Sequence, residues 1–265
     1  MFDAYSRRID YLRISVTDRC NLRCRYCMPS RGSHLIPNND TLRIEELETV
    51  AAYAIKQGMT KIRLTGGEPL VRKGIVTLVE KISNIPGLGD FGMTTNGTLL
   101  SRFAGSLKQA GLHRLNISMD TTDPHEFRRI TRGGNINDLF SGIAAAAKAG
   151  FTSIKLNCVV EKGIDEPNAT SVRAFAAANN LEARFIHRMN TAKGEFRTVI
   201  GGLGGHCSDC NRLRLSSDGL VYPCLFSDIA FSVRHLGIPQ AFSLALRHKP
   251  ESGCKSHNQF YRIGG

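Results

Sequence analysis

Short β-rich runs alternate with longer stretches whose apolar residues recur three and four positions apart. The strand-like runs are Tyr11–Val16, Lys61–Thr65, Phe91–Thr95, Arg114–Met119, Ser153–Val160 and Ala183–His187. Between them the helical period predicts Arg43–Gln57, Lys73–Ser83, Leu100–Ala110, Ile136–Lys148 and Ala169–Ala178. Gly58, Gly111 and Gly150 stand where helices end on a left-handed cap, and Asn137-Asp138 and Asp165-Glu166-Pro167 read as helix starts. Six strand–helix repeats imply an α/β fold with a parallel sheet and crossover helices, by count an incomplete (βα)6-type TIM barrel. Polar residues follow the strands directly, as Thr17-Asp18-Arg19, Gly66-Gly67-Glu68-Pro69, Asn96-Gly97 and Asp120. Such strand ends are where folds of this class carry chemistry. The repeats stop near residue 190 and Thr191 to Gly205 is glycine-rich, so the expected division is a barrel over 1–190 and a C-terminal extension over 191–265. The extension has a short helical patch around Gln240–Arg247 and is too small for a large core of its own, so it must dock on the barrel.

The 265 residues are 42% hydrophobic, enough for a packed core. No apolar run approaches the ~18 residues of a membrane span, and Met1 to Asp10 lacks a secretory pattern. The expected location is the cytoplasm, where thiols stay reduced, so the eight cysteines need another explanation than disulfides. The net charge of +12 suits either nucleic acid or a cleft for a small polyanion, and a merely solvated positive surface is the plain alternative. Basic runs and interleaved aromatics are missing, so nucleic acid is not the expected partner.

Cys20, Cys24 and Cys27 form a C-x3-C-x2-C loop directly after the first strand. Three thiolates on one loop can ligate three irons of a [4Fe–4S] cube and leave the fourth open to a small chelating molecule. Structural zinc generally takes four protein ligands. The loop, with Tyr26 before its last cysteine, resembles the radical S-adenosylmethionine superfamily. In that family the open iron holds the amino and carboxylate groups of S-adenosylmethionine, and one-electron reduction releases a 5′-deoxyadenosyl radical. Gly66, Gly67 and Glu68 resemble the superfamily's GGEP turn at the methionine amino group. The same resemblance implies that Tyr26, Thr94, Ser118 and Lys155 face S-adenosylmethionine, with Met189 near its adenine. Each of these strand-end residues also suits an ordinary turn, cap or core position.

Cys207, Cys210 and Cys224 form a second set, spaced C-x2-C-x13-C, with Asp218-Gly219 as the turn that folds Cys224 back beside the first pair. A second [4Fe–4S] cluster with one free iron suits this set, and a zinc knuckle with His206 or water as fourth ligand is the competing reading. The stretch Cys207 to Leu215, Cys224 and the Gly264-Gly265 end resemble the GTP 3′,8-cyclase family of molybdenum-cofactor biosynthesis (molybdopterin biosynthesis protein A), from about Arg13 to Gly265. There the second cluster holds guanine, the radical takes hydrogen from C3′, and C3′ attacks C8 to give 3′,8-cyclo-GTP. The resemblance implies GTP contacts for Arg13, Lys61, Arg63, Arg184, Arg212 and Arg214, and a catalytic role for Gly264 and Gly265 inserted into the site. It also implies an electron donor such as flavodoxin or ferredoxin and a downstream cyclic pyranopterin monophosphate synthase, and it allows a homodimer.

Two departures stand out. His187 occupies a position where the family has Glu, and the connection from Arg184 to Cys207 is shorter than in typical cyclases. A paralogue with an auxiliary cluster and another substrate, such as a peptide, is therefore the alternative. Cys158, in an apolar strand, is expected to pack as a small hydrophobe, and Cys254 to be an exposed thiol.

Overall fold

The computed structural model describes residues 1–28 and 35–264. Six parallel strands run in sequence order, β1 (Tyr11–Ser15), β2 (Lys61–Thr65), β3 (Asp90–Thr95), β4 (Arg114–Ser118), β5 (Ile154–Val160) and β6 (Glu182–His187). The crossovers carry helices α1 (Ile44–Lys56), α2 (Ile75–Ser83), α3 (Leu100–Gln109), α4 (Pro124–Thr131), α5 (Ile136–Lys148) and α6 (Pro167–Ala178). A single sheet results, with β6 at one edge.

The C-terminal extension does more than dock. Its strand β7 (Arg212–Leu215) pairs in parallel with the free edge of β1, and β8 (Leu220–Tyr222) and β9 (Phe231–Ser232) continue the sheet antiparallel. The unpaired edge of β1 would otherwise leave a row of backbone donors and acceptors unsatisfied, so the extension completes the sheet. Helices α7 (Val233–Leu236), α8 (Ile238–Arg247) and α9 (Phe260–Ile263) follow.

Alternation along the strands separates two faces. Leu12, Ile14, Ile62, Leu64, Phe91, Met93, Leu115, Ile117, Leu213 and Leu215 are buried in one apolar cluster with helix residues such as Leu47, Val50, Leu78, Leu107 and Leu139. Each such side chain contributes about 1.5–3 kcal/mol by leaving water. The opposite face of the same strands carries Tyr11, Arg13, Arg63, Thr94, Asn116 and Arg214, and is therefore free for chemistry.

Helix α4 has no apolar period to announce it, for only Phe127 and Thr131 on it are buried. It forms through local signals: the Asp123 side chain caps the Glu126 N–H at 2.7 Å, and Pro124 opens the first turn.

Candidate active site

The loop after β1 is held by buried polar contacts and by α4. Thr17 and Asp18 are buried, and Asp18 Oδ2 accepts from the Ile36 N–H at 2.5 Å. The last carbonyls of α4, Ile130 and Thr131, accept from the Arg25 and Arg23 N–H groups at 3.0 and 3.1 Å. Arg132 then donates to the Arg23 and Met28 carbonyls, both at 3.0 Å. Cysteines of this loop thus sit on a braced backbone, with Cys27 N–H donating to the Cys24 carbonyl at 3.1 Å.

Cys20, Cys24 and Cys27 open into one cavity with Tyr26, Gly66, Gly67, Thr94, Ser118, Met189 and Gly264. Gly66 and Gly67 are fixed by close approach, because a Cβ on Gly67 would strike the Arg19 carbonyl oxygen and one on Gly66 the Thr17 oxygen. Thr94 Oγ1, Asn157 Oδ1 and His187 Nδ1 are buried in this wall without a hydrogen-bond partner among the described residues. Orphaned polar atoms of this kind call for a polar ligand. Burial pushes all three thiols up, Cys27 to about 12, and the neighbouring sulfurs add to the rise for Cys24 and Cys27. Three crowded thiols that resist ionisation alone suit a cationic iron–sulfur core, which stabilises all three as thiolates. No three His, Cys, Asp or Glu side chains among the described residues converge on a single metal ion, whereas a cube spreads its thiolates over three irons.

Two of the residues expected around S-adenosylmethionine lie elsewhere. The carboxylate of Glu68 is fully buried behind the wall, accepting from Leu70 N–H (3.0 Å), Thr95 Oγ1–H (2.7 Å) and Asn96 N–H (2.7 Å). Its effect on the cavity is to lock the ends of β2 and β3. Lys155 pairs with Glu182 on the neighbouring strand. Asn96, named as a strand-end position, and His187, noted as a departure from the family, also line the cavity, as do Asn157, Arg188, Phe260 and Tyr261, which the sequence did not single out. Asp120, a strand-end position without an assigned role, accepts from Tyr26 O–H at 2.7 Å and Val159 N–H at 2.8 Å and so fixes the aromatic beside Cys27. Asn96, His187 and Arg188 lie at or just beyond a strand's C-terminal end and Asn157 midway along β5, whereas Phe260 and Tyr261 come from α9.

A basic patch occupies the same face, further toward the strands' N-terminal ends. Register places Arg63, Arg13 and Arg214 in one row across β2, β1 and β7, and Lys61, Tyr11 and Arg212 in the next. The Tyr11 ring lies beneath both Arg63 and Arg212, 5.8 and 5.6 Å from their guanidinium carbons. Arg114 extends the first row through Gly92, and Arg184 sits on β6 opposite Asn157. Counter-charge is sparse. Asp10 reaches Lys61 at 3.4 Å, and Asp90 pairs with Arg114. Burial, then the Arg212 charge, pushes Arg214 down to about 10, and burial followed by Arg214 lowers Arg13 well below its usual range. The Nε groups of Arg63, Arg184 and Arg212 are buried with no hydrogen-bond partner among the described residues.

None of the six predicted phosphate cations lines the cysteine cavity itself, and Gly264 links the two regions. It lines the cavity, its carbonyl accepts from Arg214 Nη1–H, and a Cβ there would strike Thr65. Gly265 lies outside the described residues.

Cys207, Cys210 and Cys224 gather at the far end of the β7–β8 hairpin. Pairing of Arg214 with Tyr222 carries Cys210, before β7, and Cys224, after β8, to one end. Lys249 Nζ lies 3.3 Å from Cys210 Sγ, and the Phe226 N–H donates to Cys224 Sγ at 3.4 Å. Burial raises Cys210, but the Lys249 and Arg212 charges outweigh it and the thiol falls below its ordinary value. Cys158 is fully buried and Cys254 exposed.

The sequence profile of the Radical SAM superfamily matches residues 14–170. The chain is 39% identical to a GTP 3′,8-cyclase of Moorella thermoacetica (strain ATCC 39073 / JCM 9320), covering all of both chains. It is 38% identical to one of Peptoclostridium acidaminophilum, covering 100% of this chain and 98% of that one. The Moorella alignment spans 324 positions against 265 residues here, so that relative carries at least 59 residues without a counterpart. Among solved structures, anSMEcpe with bound AdoMet and Kp18Cys peptide superimposes with a TM-score of 0.62 at 17% identity, covering 88% of this chain and 80% of that one. Methylornithine synthase (PylB) gives 0.56 at 18%, covering 69% and 54%. The braced three-cysteine loop, its glycine-walled cavity and these full-length relatives agree: the chain belongs to the radical SAM superfamily and, within it, to the GTP 3′,8-cyclase family.

Proposed function

We propose that the chain converts GTP to 3′,8-cyclo-GTP in the first step of molybdenum-cofactor biosynthesis. The observation that carries this reading is the row of Arg63, Arg13 and Arg214, with Lys61 and Arg212 beside it, on the face that also bears the cysteine cavity. Arg63 and Arg214 are buried and Arg13 and Arg212 half-buried, and gathering these guanidinium groups with little counter-charge costs stability unless an anion completes the site. A triphosphate, with roughly four negative charges, is such an anion and accepts paired guanidinium donors.

Cys20, Cys24 and Cys27 hold the first [4Fe–4S] cluster, which with bound S-adenosylmethionine supplies the 5′-deoxyadenosyl radical. Gly66 and Gly67 let the backbone approach that ligand, and Thr94 and Asn157 offer it their orphaned oxygens. Arg13, Lys61, Arg63, Arg184, Arg212 and Arg214 orient the triphosphate, so that the nucleoside end points to the boundary with the cavity. Gly264 lies on that boundary and closes it. Cys207, Cys210 and Cys224 hold a second [4Fe–4S] cluster. The cationic surroundings of Cys210 support thiolate ligation there. The open strand order, with β6 and β9 at the edges, supports an incomplete barrel over 1–190, to which 191–265 adds strands and the second cluster. A flavodoxin or ferredoxin as electron donor and a cyclic pyranopterin monophosphate synthase downstream complete the reading.

Titration of the anaerobically reconstituted chain with GTP tests it. Saturable GTP binding is expected, with Arg214→Ala weakening it by about 1.5–3 kcal/mol, the cost of a lost charge-assisted contact. Absence of GTP binding by the loaded chain contradicts the proposal.

A further inference from the structure

Beyond the last turn of α8, Lys249 is 3% exposed, an uncommon place for an ammonium group. Its Nζ donates to the Pro223 carbonyl and the Arg212 carbonyl, both at 2.8 Å, and its third neighbour is Cys210 Sγ at 3.3 Å. The Arg212 carbonyl opens β7, two residues after Cys210, and the Pro223 carbonyl follows the end of β8, one residue before Cys224. One buried amine therefore ties both sides of the cysteine set together. Arg7 braces the arrangement from outside: Nη1 donates to the Cys207 carbonyl (2.7 Å) and the Glu251 carbonyl (2.8 Å), and Nη2 to the Pro250 carbonyl (2.6 Å). Asp3 fixes Arg7 in turn, Oδ2 accepting from Nε at 2.6 Å. The segment Lys249-Pro250-Glu251 is thus stitched to all three cysteine neighbourhoods.

We propose that Lys249 is a positioning residue for the second iron–sulfur cluster, fixing Cys210 and the Cys224 strand end at ligating separation and placing a buried positive charge against a ligating sulfur. The inference rests on the reading that Cys207, Cys210 and Cys224 hold a cluster. A thiol is a weak acceptor and a thiolate a strong one, so the third contact of the ammonium is well used only when Cys210 is ligating. A hydrogen bond and a positive charge at a ligating sulfur favour the more negative, reduced cluster and raise its reduction potential. Among the described residues no ammonium or guanidinium donates to a sulfur of the first set, where Cys20 Sγ meets the neutral Leu22 N–H at 3.3 Å and Asn96 Nδ2 at 3.8 Å. The two clusters should therefore differ in potential, the second lying higher.

The test uses the full chain, reconstituted without oxygen, as wild type, Cys210→Ala, Lys249→Gln and Lys249→Arg. Each is titrated potentiometrically under EPR and challenged with an iron chelator. Lys249→Gln is expected to load both clusters, to shift the second cluster alone to a more negative potential, and to release its iron about ten- to a hundredfold faster, the usual effect of losing an outer-shell partner. Lys249→Arg should restore most of both properties. Unchanged potential and iron release in Lys249→Gln overturn the proposal while two cubes in the wild type leave the cluster reading intact. Loss of both clusters together, unrescued by Lys249→Arg, also overturns it, making Lys249 a general folding residue. A wild type that loads one cube and matches Cys210→Ala in iron content overturns the underlying cluster reading instead.

Discussion

Glu68 follows the Gly66-Gly67 turn with none of its surface exposed, and burial pushes its carboxyl up to about 6 despite three donors that oppose the shift. Its folded-state value thus lies above the ordinary 4.5. The contribution to stability is fully present below pH 4.5 and is lost as pH rises through about 6. That difference corresponds to about 2 kcal/mol. Denaturant unfolding of the metal-free chain should show the advantage of wild type over Glu68→Gln shrinking by about this much between pH 4 and 7; an advantage that grows with pH contradicts it. The cysteines divide by role at the same scale. Cys24→Ala should abolish 5′-deoxyadenosine formation, whereas Cys210→Ala should retain uncoupled formation of it without cyclised product. Identical behaviour of the two variants, read by chromatography of the reaction, contradicts the division of labour. The closeness of Cys20, Cys24 and Cys27 was legible from their spacing, and that of Cys210 and Cys224 from spacing together with the Asp218-Gly219 turn. The commitment of Glu68 to Thr95 and Asn96, and of Lys155 to Glu182, was not, because these contacts join strands far apart in sequence.

At the scale of elements, the six parallel strands were readable because each is a compact apolar run bounded by turn residues. Helix α4 was not, since its exposed faces leave only two buried residues and no period. Yet α4 braces the first cysteine loop through the Ile130 and Thr131 carbonyls and through Arg132. Asp123→Ala removes its N-cap and should cost about 1 kcal/mol. The accompanying effect should be faster iron loss from the first cluster with the second unaffected, followed spectroscopically under chelator. Equal loss from both would show that α4 does not support the loop selectively. The joining of β7 to β1 was also hidden, because Arg212-Leu213-Arg214-Leu215 is a four-residue pattern whose partner lies some two hundred positions earlier. That pairing matters to function, for it puts Arg212 and Arg214 in register with Tyr11 and Arg13.

Over the whole molecule, one sheet face gathers a sulfur-lined cavity at the strands' C-terminal ends, a cationic patch beneath it and the Gly264 tail between them. The Moorella relative carries at least 59 residues without a counterpart here, and the chain brings all three together without them. No helix among the described residues is long and apolar enough to cross a membrane. Iron and sulfide analysis of the reconstituted wild type should give about eight irons per chain, two cubes on six cysteines, with about four remaining in Cys24→Ala or in Cys210→Ala. The most direct test of the central claim is a single anaerobic turnover with S-adenosylmethionine, reductant and GTP, analysed by mass spectrometry. The account predicts 5′-deoxyadenosine and 3′,8-cyclo-GTP in equal amounts; 5′-deoxyadenosine alongside fully recovered GTP would contradict it.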